Sequence, residues 1–273
     1  MKHSILLLVF ILPFCLTAQQ RPIAVEAATL LEYGHAQLEI GGAHLREQPF
    51  PLSGLTGNLS KVGTIRFCIA LSEYVEIQTD GTLLDILNIT HRIPAFNTVR
   101  TTTRNPTTDV GDFSFWTKFG VLSEYSSGIG MAVRFGVQLP NASNESGLGI
   151  DEMNFFSSVL LQKHIAGRWT CNIGLGVLSD PTQLGQQHDV FIYALEYFLP
   201  MNATMSMILQ TAGRTGHDGV GMRRLANGKA GIEKSFGDLT VKAMGVLNFS
   251  PADNAKGVEL SLSYLFHVIQ TKQ

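Results

Sequence analysis

Charge is scarce in this chain: Asp, Glu, Lys and Arg make up 15% of it, against roughly 25% in an ordinary soluble domain. Such a surface suits contact with lipid better than contact with water. The net charge of −2 leaves no electrostatic case for nucleic acid. Cysteine is scarce too, with three in 273 residues. Long apolar runs are missing: Ile5 to Leu16 is apolar but shorter than the ~20 residues of a spanning helix, and nothing later approaches that length. No Gly-x-Ser-x-Gly elbow occurs, and no glycine-rich phosphate cradle opens a helix, so neither a serine-hydrolase nor a nucleotide signature is present.

The amino terminus reads as a secretory signal peptide over 1–18, with Met1-Lys2-His3 as its basic start and Leu16-Thr17-Ala18 as its cleavage site. A lipoprotein anchor at Cys15 is disfavoured by bulky Phe14 before it. Residues 19–34 would then be a periplasmic lead-in or a segment inside a lumen; the sequence leaves both open. Residues 270–273 form a carboxyl-terminal tail.

What the chain has, from 35 to 269, is alternation. Ile129, Met131, Val133, Phe135, Val137 and Leu139 fall on one face, and Gly130, Ala132, Arg134, Gly136 and Gln138 on the other. Period two over this length is a strand and not an amphipathic helix. Phe113–Val121, Trp169–Val177 and Val258–Phe266 repeat the pattern. Weaker copies bring the count to about twelve strands of roughly ten residues, the length a tilted strand needs to cross a bilayer. Breaks alternate in length. Ser72-Glu73, Ala166-Gly167-Arg168, Pro200-Met201-Asn202 and Gly237-Asp238 are tight, whereas 48–60, 90–109, 141–151 and 213–224 are long and polar. The expected fold is all-β: a transmembrane antiparallel up-and-down barrel with short periplasmic turns and longer outer loops. A soluble β-sandwich also alternates, but its outer face would carry more charge. On the strand phase Cys68 points inward and Cys171 outward, which predicts no disulfide.

Several stretches resemble the outer-membrane transporter family named for the meta-pathway of phenol degradation. They are Gly34-His35-Ala36-Gln37-Leu38-Glu39-Ile40-Gly41, Ile65-Arg66-Phe67 followed by Glu73-Tyr74-Val75-Glu76-Ile77, Gly111–Lys118 and Arg134–Pro140. The resemblance implies a Gram-negative outer-membrane barrel passing small, often hydrophobic or aromatic, solutes. It does not imply phenol. Barrel chains commonly end on an aromatic residue read by the barrel-assembly machinery, a partner expected here too, whereas His267–Gln273 continue past Phe266.

On the inward phase lie Glu39, Arg66, Tyr74, Glu76, Lys118, Arg134, Glu196, Glu233, Lys242 and Glu259. Both signs are present, which fits a pore-lining selectivity ladder and equally a salt-bridge network filling the lumen. Arg92, Arg100 and Arg104 fall in one outer loop and Arg214, Arg223 and Arg224 in another, a basic mouth toward anionic solutes or lipopolysaccharide phosphates. No catalytic constellation is expected: His44 faces lipid near the outer rim, with no serine accompanied by an orienting Asn or Asp evident on the adjacent strand phase, and His164, His188 and His267 point inward or sit at strand ends. His188-Asp189 and His217-Asp218 are single pairs without a further metal ligand at fixed spacing. No metal, cofactor or enzymatic activity is therefore predicted. The expected function is a monomeric or weakly oligomeric outer-membrane channel for a small solute, in contact with outer-membrane lipid. A closed structural or adhesive barrel acting through its loops is the alternative, and a lipid-modifying enzyme a third.

Overall fold

The computed structural model describes residues 25–96, 102–183, 185–217, 219, 224–250 and 253–268. The expected signal peptide, residues 19–24 and the tail lie outside these. Thirteen strands run in chain order: β1 (His35–Phe50), β2 (Leu55–Ala70), β3 (Val75–Arg92), β4 (Thr107–Asp109), β5 (Phe113–Leu122), β6 (Gly130–Leu139), β7 (Asn154–His164), β8 (Arg168–Ser179), β9 (Gln187–Pro200), β10 (Met205–Gly216), β11 (Leu225–Phe236), β12 (Leu239–Asn248) and β13 (Lys256–His267). Short β4 and longer β5 both pair with β3 and occupy one place in the wall. The sheet is thus a twelve-stranded antiparallel ring, closed by β1 against β13 and by β2 against β3. Closure gives each of the twelve long strands a partner on both sides, which a wall in hydrocarbon requires.

Alternation sets the two faces. In β13, Val258, Leu260, Leu262, Tyr264 and Phe266 are exposed large apolar residues on one side, while Gly257, Glu259 and Ser261 face the other and are partly covered. Ile40, Phe115, Phe135, Phe155, Ile173, Leu195, Leu209 and Ile232 continue the exposed belt around the ring. An apolar surface on this scale belongs against lipid. Among the described residues no helix is long and apolar enough to cross a membrane.

One end carries both chain ends of the ring and the tight turns. His35 pairs with His267, and Gly237 takes a left-handed φ of 65° in the two-residue turn joining β11 to β12. A four-residue helix, α1 (Glu124–Ser127), makes the β5–β6 turn, a connection the alternation did not resolve. The opposite end carries the longer loops.

The loop end differs from expectation at 48–60 and 90–109. β1 and β2 stay paired to Phe50 and Leu55, leaving a connection of only 51–54, and β3 runs on to Arg92. These three strands have 16, 16 and 18 residues. Irregularities conceal the continuity: the β1–β2 register shifts at Gly41/Gly42 and again at Leu45/Gln48, where Glu47 has a positive φ of 57°. A bulge inserts a residue and reverses which side chains face in. In β10, likewise, strand persists to Gly216, so the loop expected from 213 begins later.

Candidate functional site: an occupied lumen

Residues 25–34 enter the barrel. They have no regular structure of their own, so wall side chains satisfy much of their backbone. Asn172 on β8 accepts from Glu26 N–H at 2.9 Å and donates to Glu26 C=O at 2.7 Å. Lys118 Nζ donates to Thr29 C=O at 3.0 Å, Leu31 N–H donates to Glu76 Oε2 at 2.7 Å, and Gln162 donates to the Thr29 hydroxyl at 2.7 Å. Ala28 packs with Ala132 and Leu160, with Leu30 alongside. Residues 26–31 thus lie against inward-facing side chains of the wall, while Glu32 and Tyr33 are exposed.

Glu26 is the centre of this arrangement. Its carboxylate accepts from Arg66, from Lys118 at 2.9 Å and from Gln78 at 3.0 Å. Lys118 also pairs with Glu76 at 3.2 Å. Arg134 lies over the Trp116 ring, 3.8 Å from its centroid, and 3.9 Å from Asp80, while its Nε has no hydrogen-bond partner. Trp116 fits because its β6 neighbour is Gly136: any Cβ there would overlap the indole. A small cavity of about 10 Å³, lined in part by Glu26, Arg134, Ser158 and Asn172, lies beside this cluster and is near the size that admits one water.

The other expected inward charges pair across the wall. Glu39 meets Lys242 at 3.2 Å, Glu196 meets Arg168 at 2.9 Å, and Glu259 meets Lys229 at 2.8 Å. Glu233 stands opposite Lys242 in register. Tyr74 does not line the lumen. It sits in the β2–β3 turn, 67% exposed, because the inward phase of β3 ends at Glu76 and the chain turns before the next inward position.

Toward the loop end the interior is apolar. Leu45, Phe50, Leu55, Leu59 and Leu87 from β1–β3 pack with Val246, Ala255 and Leu148 of the β6–β7 loop. Below them lies a buried ion pair missed in the sequence, Lys61 to Asp85 at 2.9 Å. The signal for it was indirect. Gly63 has a positive φ of 67°, and consecutive Leu83 and Leu84 are both exposed, so the facing phase switches in both strands at this level.

The basic mouth is only partly assembled. Arg92 is exposed but donates to the carbonyls of Thr102 and, at 2.9 Å, Arg104, so it ties its own loop together. Arg104 and Arg224 are exposed. Arg214 is not in a loop: it lies in β10 and is 3% exposed, because β10 continues past the expected break. Arg100 and Arg223 lie outside the described residues.

Two groupings concern histidine. His44 stands beside Ser60, with Nδ1 3.0 Å from Ser60 Oγ across the β1–β2 ladder, a pair that has no orienting carboxylate or amide among its hydrogen bonds in the described residues. His188 and His217 are not isolated: they stand together with Asp180, all three ligand atoms within 4.8 Å of one another. Strand registry brings both groupings together, and spacing along the chain does not reveal it. Cys68 is a buried free thiol with Arg66 Nε 3.5 Å from its sulfur, and Cys171 is a partly covered free thiol.

No protein-family model matches the chain, and no curated protein matches it. Among solved structures it is similar to an outer membrane channel from Pseudomonas putida F1, with a TM-score of 0.60 and 12% identity over 89% of this chain and 98% of that one. The fold is that of an outer-membrane barrel. The translocator domain of autotransporter NalP from Neisseria meningitidis is also similar, with a TM-score of 0.49 and 12% identity over 86% of this chain and 90% of that one.

Proposed function

We propose that this protein is an outer-membrane channel for a small organic acid, held closed by residues 25–34. The observation that carries this reading is the Glu26 carboxylate, bound within the lumen by Arg66, Lys118 and Gln78. A carboxylate on the plug stands where a carboxylate on a solute would stand. Arg134 keeps an unused Nε–H beside it, and Trp116 stacked near Phe156, ring centroids 5.7 Å apart, offers an aromatic surface to the solute's body. The apolar interior nearer the loops suits the same amphipathic molecule. Removal of Glu26 would leave Arg66, Lys118 and Arg134 facing the bore, where paired or hydrated charge is required. The tight-turn end is periplasmic in this reading, and lipid and lipopolysaccharide surround the wall.

The test is conductance of refolded mature protein in a planar bilayer, with reversal potential measured across a salt gradient. Wild-type protein is expected to be nearly silent, and Glu26→Ala or deletion of residues 25–34 to produce discrete anion-preferring steps. Neutralising Lys118 and Arg134 together should shift that preference toward cations. Silence in every variant, with folded barrels confirmed by heat-dependent gel mobility, would replace the channel with a closed barrel acting through its loops.

A second reading is favoured by His44 and Ser60. A histidine within hydrogen-bond reach of a serine is the core of a nucleophilic site, and this pair is exposed on the outer wall near the loop end. Among the described residues no third group is hydrogen-bonded to the imidazole. Phospholipid turnover that vanishes in Ser60→Ala would establish hydrolysis; equal, background rates would dismiss it.

A further inference from the structure

The β8–β9 loop leaves the wall at Asp180, whose carboxylate is buried although it lies at the rim. Its Oδ1 accepts from the Thr182 backbone N–H at 2.7 Å and from the Thr182 hydroxyl at 2.6 Å. That grip fixes the carboxylate plane and aims Oδ2 at His188 Nε2, 3.2 Å away near the start of β9. His217, just past the end of β10, lays its ring on His188 with centroids 3.8 Å apart and planes within 6°. Burial alone would push the Asp180 carboxyl up, but the Thr182 and His188 hydrogen bonds prevail and hold it below the ordinary carboxylate value.

We propose that Asp180, His188 and His217 form a binding site for a divalent transition-metal ion of the zinc type, which clamps the β10–β11 loop to the β8–β9 loop at the barrel's rim.

Three arguments converge. The donor set is two imidazoles and one carboxylate, which suits zinc and its neighbours, whereas calcium and magnesium prefer oxygen alone. Bonds of ~2.0–2.2 Å in a tetrahedral shell place ligand atoms roughly 3.3–3.6 Å apart, and the Asp180–His188 separation of 3.2 Å is already close to such an edge. His217 is exposed and needs only a side-chain rotation to turn a ring nitrogen toward the ion. Finally, Thr182 supplies the outer hydrogen bonds that fix a ligating carboxylate and sharpen metal affinity. Three protein ligands leave the fourth position to water. The ion would neutralise the Asp180 carboxylate and give the two imidazoles a common partner.

The experiment uses tag-free, refolded mature protein in detergent, titrated with Co²⁺ as a coloured reporter and then with Zn²⁺ in competition. Saturable binding of one Co²⁺ per chain is expected, with visible bands of low coordination number that Zn²⁺ abolishes. His188→Ala and His217→Ala should each weaken binding by about tenfold or more, the range in which loss of even an outer-shell partner is felt. His164→Ala, at the opposite end of the barrel, should bind as wild type does. Asp180 also organises its loop through Thr182, so the exposed His217→Ala variant is decisive. Wild-type affinity in that variant, or the lack of one saturable site in wild type, overturns the proposal.

Discussion

Glu26 Oε1 lies 2.9 Å from Lys118 Nζ, between residues 92 positions apart in the chain. One partner belongs to the segment that precedes the barrel and the other to the wall strand β5. The contact is almost dry: the Lys118 and Glu26 side chains are 2% and 7% exposed. Breaking a buried pair from one side leaves an uncompensated charge, a strongly unfavourable state. In the proposed channel these charge-assisted bonds hold the plug together with the Asn172 and Gln162 hydrogen bonds and the packing of Ala28, and loss of the Glu26 charge should loosen it.

Release of the plug can be read at Cys68, which is buried beside Arg66. In a Cys171→Ser background, a charged thiol reagent should modify folded wild-type Cys68 slowly and the Glu26→Ala variant at least several-fold faster. Equal rates would mean that Glu26 does not hold the segment in place.

Lys61 and Asp85 offer a second buried pair, away from the plug. Replacing Lys61 by Met alone should destabilise the barrel by about 3–5 kcal/mol, whereas joint replacement of both residues by apolar side chains should cost far less. Denaturant unfolding in lipid vesicles across the four-protein cycle measures the coupling. Additive effects would show that the pair does not act as a unit.

Gly136 is where the wall makes room for Trp116. Gly136→Ala should destabilise by about 1–3 kcal/mol, the usual cost of overpacking, and should change the emission of Trp116 in a Trp169→Phe background. Unchanged emission and unfolding midpoint together would contradict the packing described.

Leu262 is an exposed member of the belt, opposite Ile40 in register. Leu262→Arg should cost about 2–4 kcal/mol in a bilayer if this level lies near the midplane. A glutamate or arginine tolerated there without loss of stability would argue against a lipid-facing wall.

Glu124 on α1 accepts from the His164 backbone N–H at 2.6 Å and contacts its Nδ1 at 2.7 Å. The backbone bond, opposed by a little burial and aided by the imidazole, holds this carboxyl below its ordinary value. A depressed carboxyl contributes stability above its unfolded pKa of roughly 4.3, and that contribution is lost as pH falls through the lower folded value. Wild type should therefore exceed Glu124→Gln in unfolding midpoint near neutral pH, and the gap should close in acid. A gap independent of pH would exclude this linkage.

Residue by residue, the wall was more legible than its contents. Phe135 against Arg134 and Leu262 against Ser261 reveal two faces, since side chains in a strand alternate and a membrane wall sorts them sharply. The inward charges Glu39, Arg66, Glu76, Lys118, Arg134, Glu196, Lys242 and Glu259 could be named by phase, but their partners could not, because pairing depends on register across strands. Asp80 and Lys229 follow the same inward phase, whereas Arg168 reads as the end of a tight turn and is in fact the first residue of β8. Lys61 and Asp85 were concealed by the phase switches at Gly63 and Leu83-Leu84.

Sequence by itself thus determined a closed all-β barrel, since only period-two alternation and the turn spacing were needed. Tertiary structure decided what fills it. Glu26 carries no periodic signal, and its position depends on Arg66, Gln78, Lys118 and Asn172 meeting around one point from four wall strands, β2, β3, β5 and β8. His44 with Ser60, and Asp180 with His188 and His217, depend in the same way on neighbouring strands. Alternation is a local property of each strand, whereas a site is made by register and closure between strands far apart in the chain.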